Sequence, residues 1–502
     1  MIHEYAPDEL QLVYIDMKNA EVAKYTKDGY SLIPHAIIVA GTTDGEYCLS
    51  IFDWALEEML RRMTICRKYG VQKVEDLRKK FDDSSREGYD PEVHIPRIVI
   101  LIDEFQVMFD TSRIPSKIIT KIDGRITSLV KLARAASIHL WFTSQEMSGT
   151  LSKNVLDNFS MRGALRCTKE ISSTLIGNEA SGTIKEKVGW MYSNDSAGQD
   201  KNANKLWRVP FAPIDDLMQG INELQEKAKK ENRLVLRAKF FDEKQGRTVK
   251  DFEQAYADLE AFKEPHFFVM GERTVYSTKT TPFNFRLAED DKENIIIGAF
   301  ERQDTMDLIA TMIDNINKKG EEASMLISCC DKDTSYLLNL EQYQPEGWED
   351  FLKPSYPTEE ILLDLTEIAE AREEEGVEDA PVLYIFCLLW EKREGISVDE
   401  KYKQQEEFQK LVARLNAVKV HFIFVSRSKG LPGGVVSLCN HKICAKADEK
   451  LALQLTGDTV PFKFPSPNDD EACFALYCYG SDSSKFKIYR HTLERKLEAR
   501  EL

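Results

Sequence analysis

Four segments of the first 180 residues return, in the same order, near the end of the chain. LQLVYID (Leu10 to Asp16) is echoed by MLISCCD (Met325 to Asp331), and RIVILIDEF (Arg97 to Phe105) by VLYIFCLLW (Val382 to Trp390). LVKLARAASIHLWFTS (Leu129 to Ser144) is echoed by LVARLNAVKVHFIFVS (Leu411 to Ser426), and LIGNE (Leu175 to Glu179) by LQLTGD (Leu453 to Asp458). The spacings are nearly constant: 284 from Asp103 to Cys387, 282 from His139 to His421 and 280 from Gly177 to Gly457. Ordered self-similarity at one offset predicts two copies of one domain. Short apolar runs rich in Val, Ile and aromatics alternate with longer helical patterns, so each copy is expected to be α/β with a parallel, doubly wound sheet.

Within the first copy, Leu10 to Asp16, His35 to Ala40, Ile98 to Ile102 and His139 to Thr143 read as strands, and Leu49 to Tyr69 and Lys117 to Ala136 as helices. The polar, aperiodic stretch Ser193 to Lys205 reads as an exposed loop. Residues 214–264 are charge-dense and helical in spacing around a short strand, VLRAKFF, and read as a charged connector. The expected domains are therefore 1–213 and 265–502. In the second, NIIIG (Asn294 to Gly298) is a strand running into a helix over Asp304 to Lys318.

A chain of 502 residues with 42% hydrophobic and 30% charged residues can build two real cores. No apolar run approaches the roughly 18 to 20 residues that span a bilayer. The opening MIHEYAPDEL lacks the layout of a signal peptide. Several of the ten cysteines, Cys387 among them, sit in apolar strand-like runs, as reduced core thiols of a cytoplasmic protein would. Of the net charge of −17, residues 1–213 carry −1 (29 acidic, 28 basic) and the remainder −16 (55 acidic, 39 basic). So acidic a second half makes a poor general nucleic-acid surface; a local basic stripe in an oligomeric pore is left open.

The strand-like run RIVIL delivers two adjacent carboxylates, Asp103 and Glu104. That is half of a phosphoryl-transfer site: Asp103 would hold a metal through water, and Glu104 would polarise the attacking water. The other half, G-x-x-x-x-G-K-[ST], is found nowhere in the sequence. In the second copy Gly298 opens GAFERQDT, which puts Gln303 at the second glycine, Asp304 at the lysine and Thr305 at the hydroxyl. An aspartate would repel the phosphates that the lysine neutralises. Cys387 and Leu388 take the places of the carboxylates, Asn416 that of Arg134, and Arg427 that of Gln145. Asp331 follows Gly298 by 33 residues, so by the same spacing the first copy's P-loop is expected about 17 residues before Met1.

Taken in order, PDELQLVYIDMK, IPHAIIVAGTTD, ALEEMLRRM, RIVILIDEF, LARAASIHLWFTSQ and the LIGN segment resemble the FtsK/SpoIIIE family of ring-forming motor ATPases, closely over about 5–213 and distantly over 265–480. The resemblance implies two RecA-like P-loop NTPase-type domains in tandem, the first lacking its P-loop strand and helix and the second degenerate. It makes Asp103 and Glu104 the Walker B pair, with Mg on Asp103, and matches Asp16 and Lys18 to the family's I-D-x-K segment. It makes Arg134 an arginine finger toward a neighbouring subunit and Gln145 a γ-phosphate sensor. It further implies ATP and Mg as cofactors, double-stranded DNA as a partner, and a ring of like or related subunits. Tandem copies with degenerate later members also occur in EssC/EccC motors, which move proteins, so type VII secretion-like transport is a second reading. A non-hydrolysing scaffold or regulatory subunit is a third. With no intact Walker A, the isolated chain is expected to be an inactive ATPase.

Other signals have plainer readings. His139 and His421 recur inside apolar strands and read as packed core residues. Cys439, His441 and Cys444 fit no zinc spacing. Glu373 to Glu375 end an amphipathic helix and read as a solvated face.

Overall fold

The computed structural model describes the chain except for residues 82–91, 146–152, 185–188, 234–237, 258–263, 277–281, 289–291, 345, 354–357, 378–379, 393–401, 428–432, 458–472 and 492–502. The chain forms two compact units, one of Met1–Glu243 with Val275–Ser277, the other of Lys244–Thr274 with Thr278–Leu502. The stretch read as a connector is thus divided between them.

The first unit is built on β1 (Leu10–Asp16), β2 (Ala36–Gly41), α1 (Gly45–Lys68), β3 (Arg97–Asp103), α2 (Ser116–Leu132) and β4 (Ile138–Phe142). Asp44 starts α1 by accepting the Glu46 N–H, and Tyr47, Cys48, Ile51, Phe52, Ala55 and Met59 then recur at helical spacing on its buried face. That face packs with Ile98, Ile100 and Ile102 of β3 and with Ile122, Ile126 and Leu129 of α2. Each such side chain contributes about 1.5–3 kcal/mol by leaving water. A second, antiparallel sheet follows from β5 (Arg162–Ala164), β6 (Trp190–Asn194) and β7 (Lys205–Arg208), with α3 (Lys169–Ile176) between β5 and β6. Beyond α4 (Ile214–Lys230), β8 (Phe240–Asp242) closes the first sheet, which is all parallel in the order β8-β2-β1-β3-β4. The stretch 193–205, read as a loop, is therefore the turn of the β6–β7 hairpin. It is organised by buried Asn194, which accepts the N–H groups of Ser196 and Gly198 and donates to Asp200 O and Asn204 Oδ1.

The second unit holds α5 (Val249–Ala257), β9 (Phe267–Arg273), β10 (Pro282–Arg286), β11 (Ile295–Gly298), α6 (Arg302–Asn317), β12 (Ala323–Cys329), α7 (Thr358–Glu375), β13 (Val382–Leu388), α8 (Tyr402–Asn416), β14 (Val420–Ser426), β15 (His441–Cys444), α9 (Glu449–Thr456), β16 (Phe474–Tyr479) and β17 (Asp482–Arg490). One mixed sheet runs β10-β9-β17-β16-β15-β11-β14-β13-β12; its last five strands are parallel, and antiparallel neighbours extend it beyond β15. Every residue of β13 and β14 is buried, as expected of strands covered on both faces.

Each repeat segment falls on matching elements. β1, β3, β4 and β5 correspond to β12, β13, β14 and β15. The helices α3 and α9 correspond as well: Thr168 and Asp448 cap their first turns, and both end on a left-handed glycine, Gly177 (φ 77°) and Gly457 (φ 79°). Among the described parallel strands of the second unit, β11 is the one without a counterpart in the first. It lies between β14 and β15 in the second unit, whereas β4 and β5 of the first unit belong to separate sheets.

Two sequence expectations change here. Strand register places Asp103 opposite Asp16, and Leu388 opposite Cys329. Glu104 and Leu389, each following its strand, share a left-handed backbone (φ 54° and 58°). The carboxylate pair is therefore replaced by Leu388 and Leu389, one residue later than Cys387 and Leu388. His139, read as a core residue, is exposed on β4, while His421 is 2% exposed; β11 flanks β14, and nothing among the described residues flanks β4 in the same way.

Candidate functional site

β3 ends at Asp103, between β1 and β4, so the carboxyl ends of three parallel strands converge there. Asp103 Oδ1 accepts the Thr143 hydroxyl from the end of β4 and the Glu104 N–H at 3.1 Å. The left-handed turn at Glu104 swings its side chain into a buried position. There Oε2 accepts Gln106 Nε2 at 2.5 Å and the Gln145 N–H at 3.3 Å, and Oε1 meets Lys18 Nζ at 3.0 Å. Burial by itself pushes the Glu104 carboxyl up. The bonds from Gln106, Lys18 and Gln145 outweigh it, and the net position is below the usual carboxylate value. Glu104 is thus held ionised, the form that a base polarising water requires.

Asp16 has a different task. It is buried, and it accepts the N–H groups of Lys18 (2.9 Å), Ala20 (2.8 Å), Glu21 (2.7 Å) and Val22 (3.2 Å), folding the loop after β1 around its own carboxylate. Those bonds override burial and hold Asp16 below its usual value. The same loop delivers Lys18 to Glu104. Sequence reasoning matched Asp16 and Lys18 to a family motif but gave no sign of the Lys18–Glu104 pair, nor of Thr143 and Gln106 as partners of the acidic residues.

Gln145 reaches Glu104 through its backbone, and its side chain is exposed beside the carboxylates. Arg134 is not brought to them. It is exposed on the turn before β4, at the strand end away from Thr143, about 17 Å off at 3.3 Å per residue. An arginine so placed cannot serve the same phosphate as Asp103 in one subunit. For a magnesium ion, Asp103 supplies a single carboxylate, which fits the habit of Mg²⁺ of binding through one or two carboxylates plus substrate phosphates. Among the described residues no group of three His, Cys, Asp or Glu side chains is placed to hold a metal.

The second unit turns its P-loop positions inward. A Cβ on Gly298 would lie 2.7 Å from Leu455 Cδ1 and 2.8 Å from Leu451 Cδ2, so this glycine admits α9 against the strand rather than a phosphate. Gln303 Nε2 donates to Asp307 Oδ2 at 3.2 Å. Asp304, 2% exposed, accepts Arg490 Nη1 at 2.8 Å and the Cys473 thiol at 3.0 Å, and the same Nη1 reaches Asp307 at 3.0 Å. Burial alone would lower the Arg490 guanidinium; the facing Cys473, Asp307 and Asp304 raise it instead. Thr305 Oγ1 points back to the carbonyls of Ala299 (3.0 Å) and Glu301 (2.8 Å). The lysine position thus carries a buried carboxylate bonded from β17, and Gly298, Asp304 and Thr305 are all engaged within the unit. Nearby, His441 is engaged by Glu293 (2.5 Å) and Tyr477 (2.7 Å), and Cys439 by Val435 O.

Residues 1–149 match the FtsK/SpoIIIE family. The DNA translocase FtsK of Rickettsia prowazekii (strain Madrid E) is 28% identical over 206 residues, 36% of this chain and 26% of that protein. The DNA translocase FtsK of Bradyrhizobium diazoefficiens (strain JCM 10833 / BCRC 13528 / IAM 13628 / NBRC 14792 / USDA 110) is 26% identical over 258 residues, 46% of this chain and 29% of that protein. The chain therefore spans less than a third of these relatives. In fold, the cytoplasmic domain of the Thermomonospora curvata type VII secretion ATPase EccC superposes with a TM-score of 0.62 at 13% identity, over 98% of this chain and 58% of that one. ATPases 2 and 3 of EssC from Geobacillus thermodenitrificans give 0.57 at 13% identity, over 98% and 87%. Both likenesses extend over the two units and concern their α/β fold. Over its first 149 residues, the chain is similar to the FtsK/SpoIIIE family.

Proposed function

We propose that the chain is part of an ATP-driven FtsK/SpoIIIE-type DNA translocase, working in the cytoplasm within a ring of like or related subunits. The observation that supports this most is the Asp103–Glu104 pair, held by Thr143 and Gln145 at the carboxyl end of β3 inside the family-matching segment. In this reading Asp103 carries Mg through water, and the ion, when bound, offsets charge on the transferring phosphoryl group. Glu104 orients the attacking water, Gln145 senses the γ-phosphate, and Arg134 reaches a nucleotide on the next subunit, as its distance from Asp103 requires. Residues 1–213 act as an ATPase domain lacking Walker A, and residues 265–502 as a degenerate copy that stabilises the assembly without hydrolysis.

A second reading, protein transport of the type VII secretion kind, is supported by the tandem fold and by the acidity of residues 214–502. ATP hydrolysis by the assembled complex separates the two. We expect duplex DNA to stimulate it and Glu104→Gln to abolish the stimulated rate, while the isolated chain shows no turnover for Glu104→Gln to change. Stimulation by a substrate polypeptide and not by DNA would favour the second reading. An assembly indifferent to Glu104→Gln would leave only a scaffold.

A further inference from the structure

Four residues stand in one row across the carboxyl end of the first sheet. Strand register sets Asp242 of β8 beside Gly41 of β2, Gly41 beside Asp16 of β1, and Asp16 beside Asp103 of β3. At about 4.8 Å per strand, Asp242 is roughly 14 Å from Asp103, longer than the roughly 8–10 Å over which salt screens exposed charges. A chain of contacts nevertheless joins the two ends. Asp242 Oδ1 accepts Asn19 Nδ2 at 2.7 Å. Asn19 has a left-handed backbone (φ 50°) and lays its amide over Gly41, where any Cβ would collide with Asn19 Oδ1. The neighbouring Lys18 reaches Glu104 Oε1 at 3.0 Å. Asp242 is itself held in place, because the next residue, Glu243, accepts the Thr42 and Thr43 hydroxyls at 3.1 and 3.0 Å. The Lys18 side chain is 45% exposed and that of Glu104 6%. A lysine so exposed gains little from one ion pair, so its place depends on the backbone that carries it. Asp16 grips that backbone on one side, and Asn19 fastens it to β8 on the other.

We propose that Asp242 is a positioning residue for Glu104: through Asn19 it holds the backbone that sets the Lys18 ammonium on the carboxylate, so the end of β8 fixes where the base points. The fastening lies where the chain leaves the first unit, at Glu243. The positioning rests on bonds within that unit; the role of Glu104 as a base rests on the motor reading.

The experiment follows the carboxyl-carbon resonance of Glu104, assigned by its loss in Glu104→Gln, through a pH titration of the 502-residue chain. Lys18→Met removes a facing cation and is expected to raise the Glu104 midpoint. Asp242→Ala is expected to raise it as well. That sign is diagnostic, because removing an anion lowers a carboxyl midpoint when the two groups act only through the field. Gly41→Ala, which displaces Asn19 and changes no charge, should reproduce the rise. Asp242→Asn keeps an acceptor for Asn19 and should stay near wild type. Asp242→Ala added to Lys18→Met should bring no further rise. In the assembled complex, Asp242→Ala should lower kcat for ATP hydrolysis about tenfold with KM unchanged. A Glu104 midpoint unchanged or lowered in both Asp242→Ala and Gly41→Ala overturns the proposal, as does a double variant whose shifts add. A raised midpoint in an assembly whose hydrolysis ignores Glu104→Gln keeps the positioning and overturns the motor reading.

Discussion

Replacing Arg490 by methionine is expected to destabilise the second unit by about 3–5 kcal/mol, the loss typical when one partner of a buried ion pair is removed. Its guanidinium is the cation set between Asp304 and Asp307, both almost wholly buried. Without it those buried carboxylates lose the guanidinium that both bond to. Arg490→Lys keeps the charge as a single point rather than a fork, and a smaller loss is expected. Asp304→Lys brings the sequence closer to a P-loop, yet it sets a second cation against Arg490. It is therefore expected to destabilise the unit and to confer no nucleotide binding. Denaturant unfolding, fitted with separate transitions for the two units, measures all three variants. An Arg490→Met midpoint unchanged from wild type would show that the buried cluster holds nothing in place.

The second large effect is expected at Asp16. Asp16→Ala removes the acceptor of four backbone N–H groups, and hydrogen bonds to a charged group are worth about 1.5–3 kcal/mol each before water replaces some of them. A loss of about 3 kcal/mol from the first unit follows. The loop carrying Lys18 is released at the same time, so Glu104 is expected to titrate nearer its usual value. The pH dependence has a definite sign. Asp16 and Glu104 are both lowered on folding from ordinary values of 3.8 and 4.5. Their contribution is complete above those values and is lost as pH falls below them, through the lowered folded-state values. Acid unfolding of the first unit should therefore be shallower in Asp16→Asn than in wild type, while stability near neutral pH also falls. An unchanged acid slope in Asp16→Asn would contradict the assignment.

The order of strands and helices was legible in the sequence because apolar runs and helical spacings recur with it, and the repeat located both the acidic pair and the ruined loop. The one-residue slip at Cys387 arose in VLYIFCLLW, which is apolar throughout. Such a run has no alternation to mark where the strand ends, and the left-handed backbone at Glu104 and Leu389 settles the register. The exposure of His139 was hidden for another reason: burial of a strand residue depends on its neighbours, and identical-looking strands gain different ones in the two units. The Arg490–Asp304 pair joins residues 186 apart through antiparallel strands for which the first unit gave no template in the same sheet. Lys18–Glu104 depends on the loop wound around Asp16, which a motif locates but does not shape.

The first unit keeps an acidic pair in a sequence with no G-x-x-x-x-G-K-[ST] segment, and the second fills the matching positions with its own side chains. Calorimetric titration of the purified chain with Mg–ATP tests this directly. No binding heat up to millimolar nucleotide is expected, in wild type and in Glu104→Gln alike. Saturable Mg–ATP binding by the chain alone would contradict it.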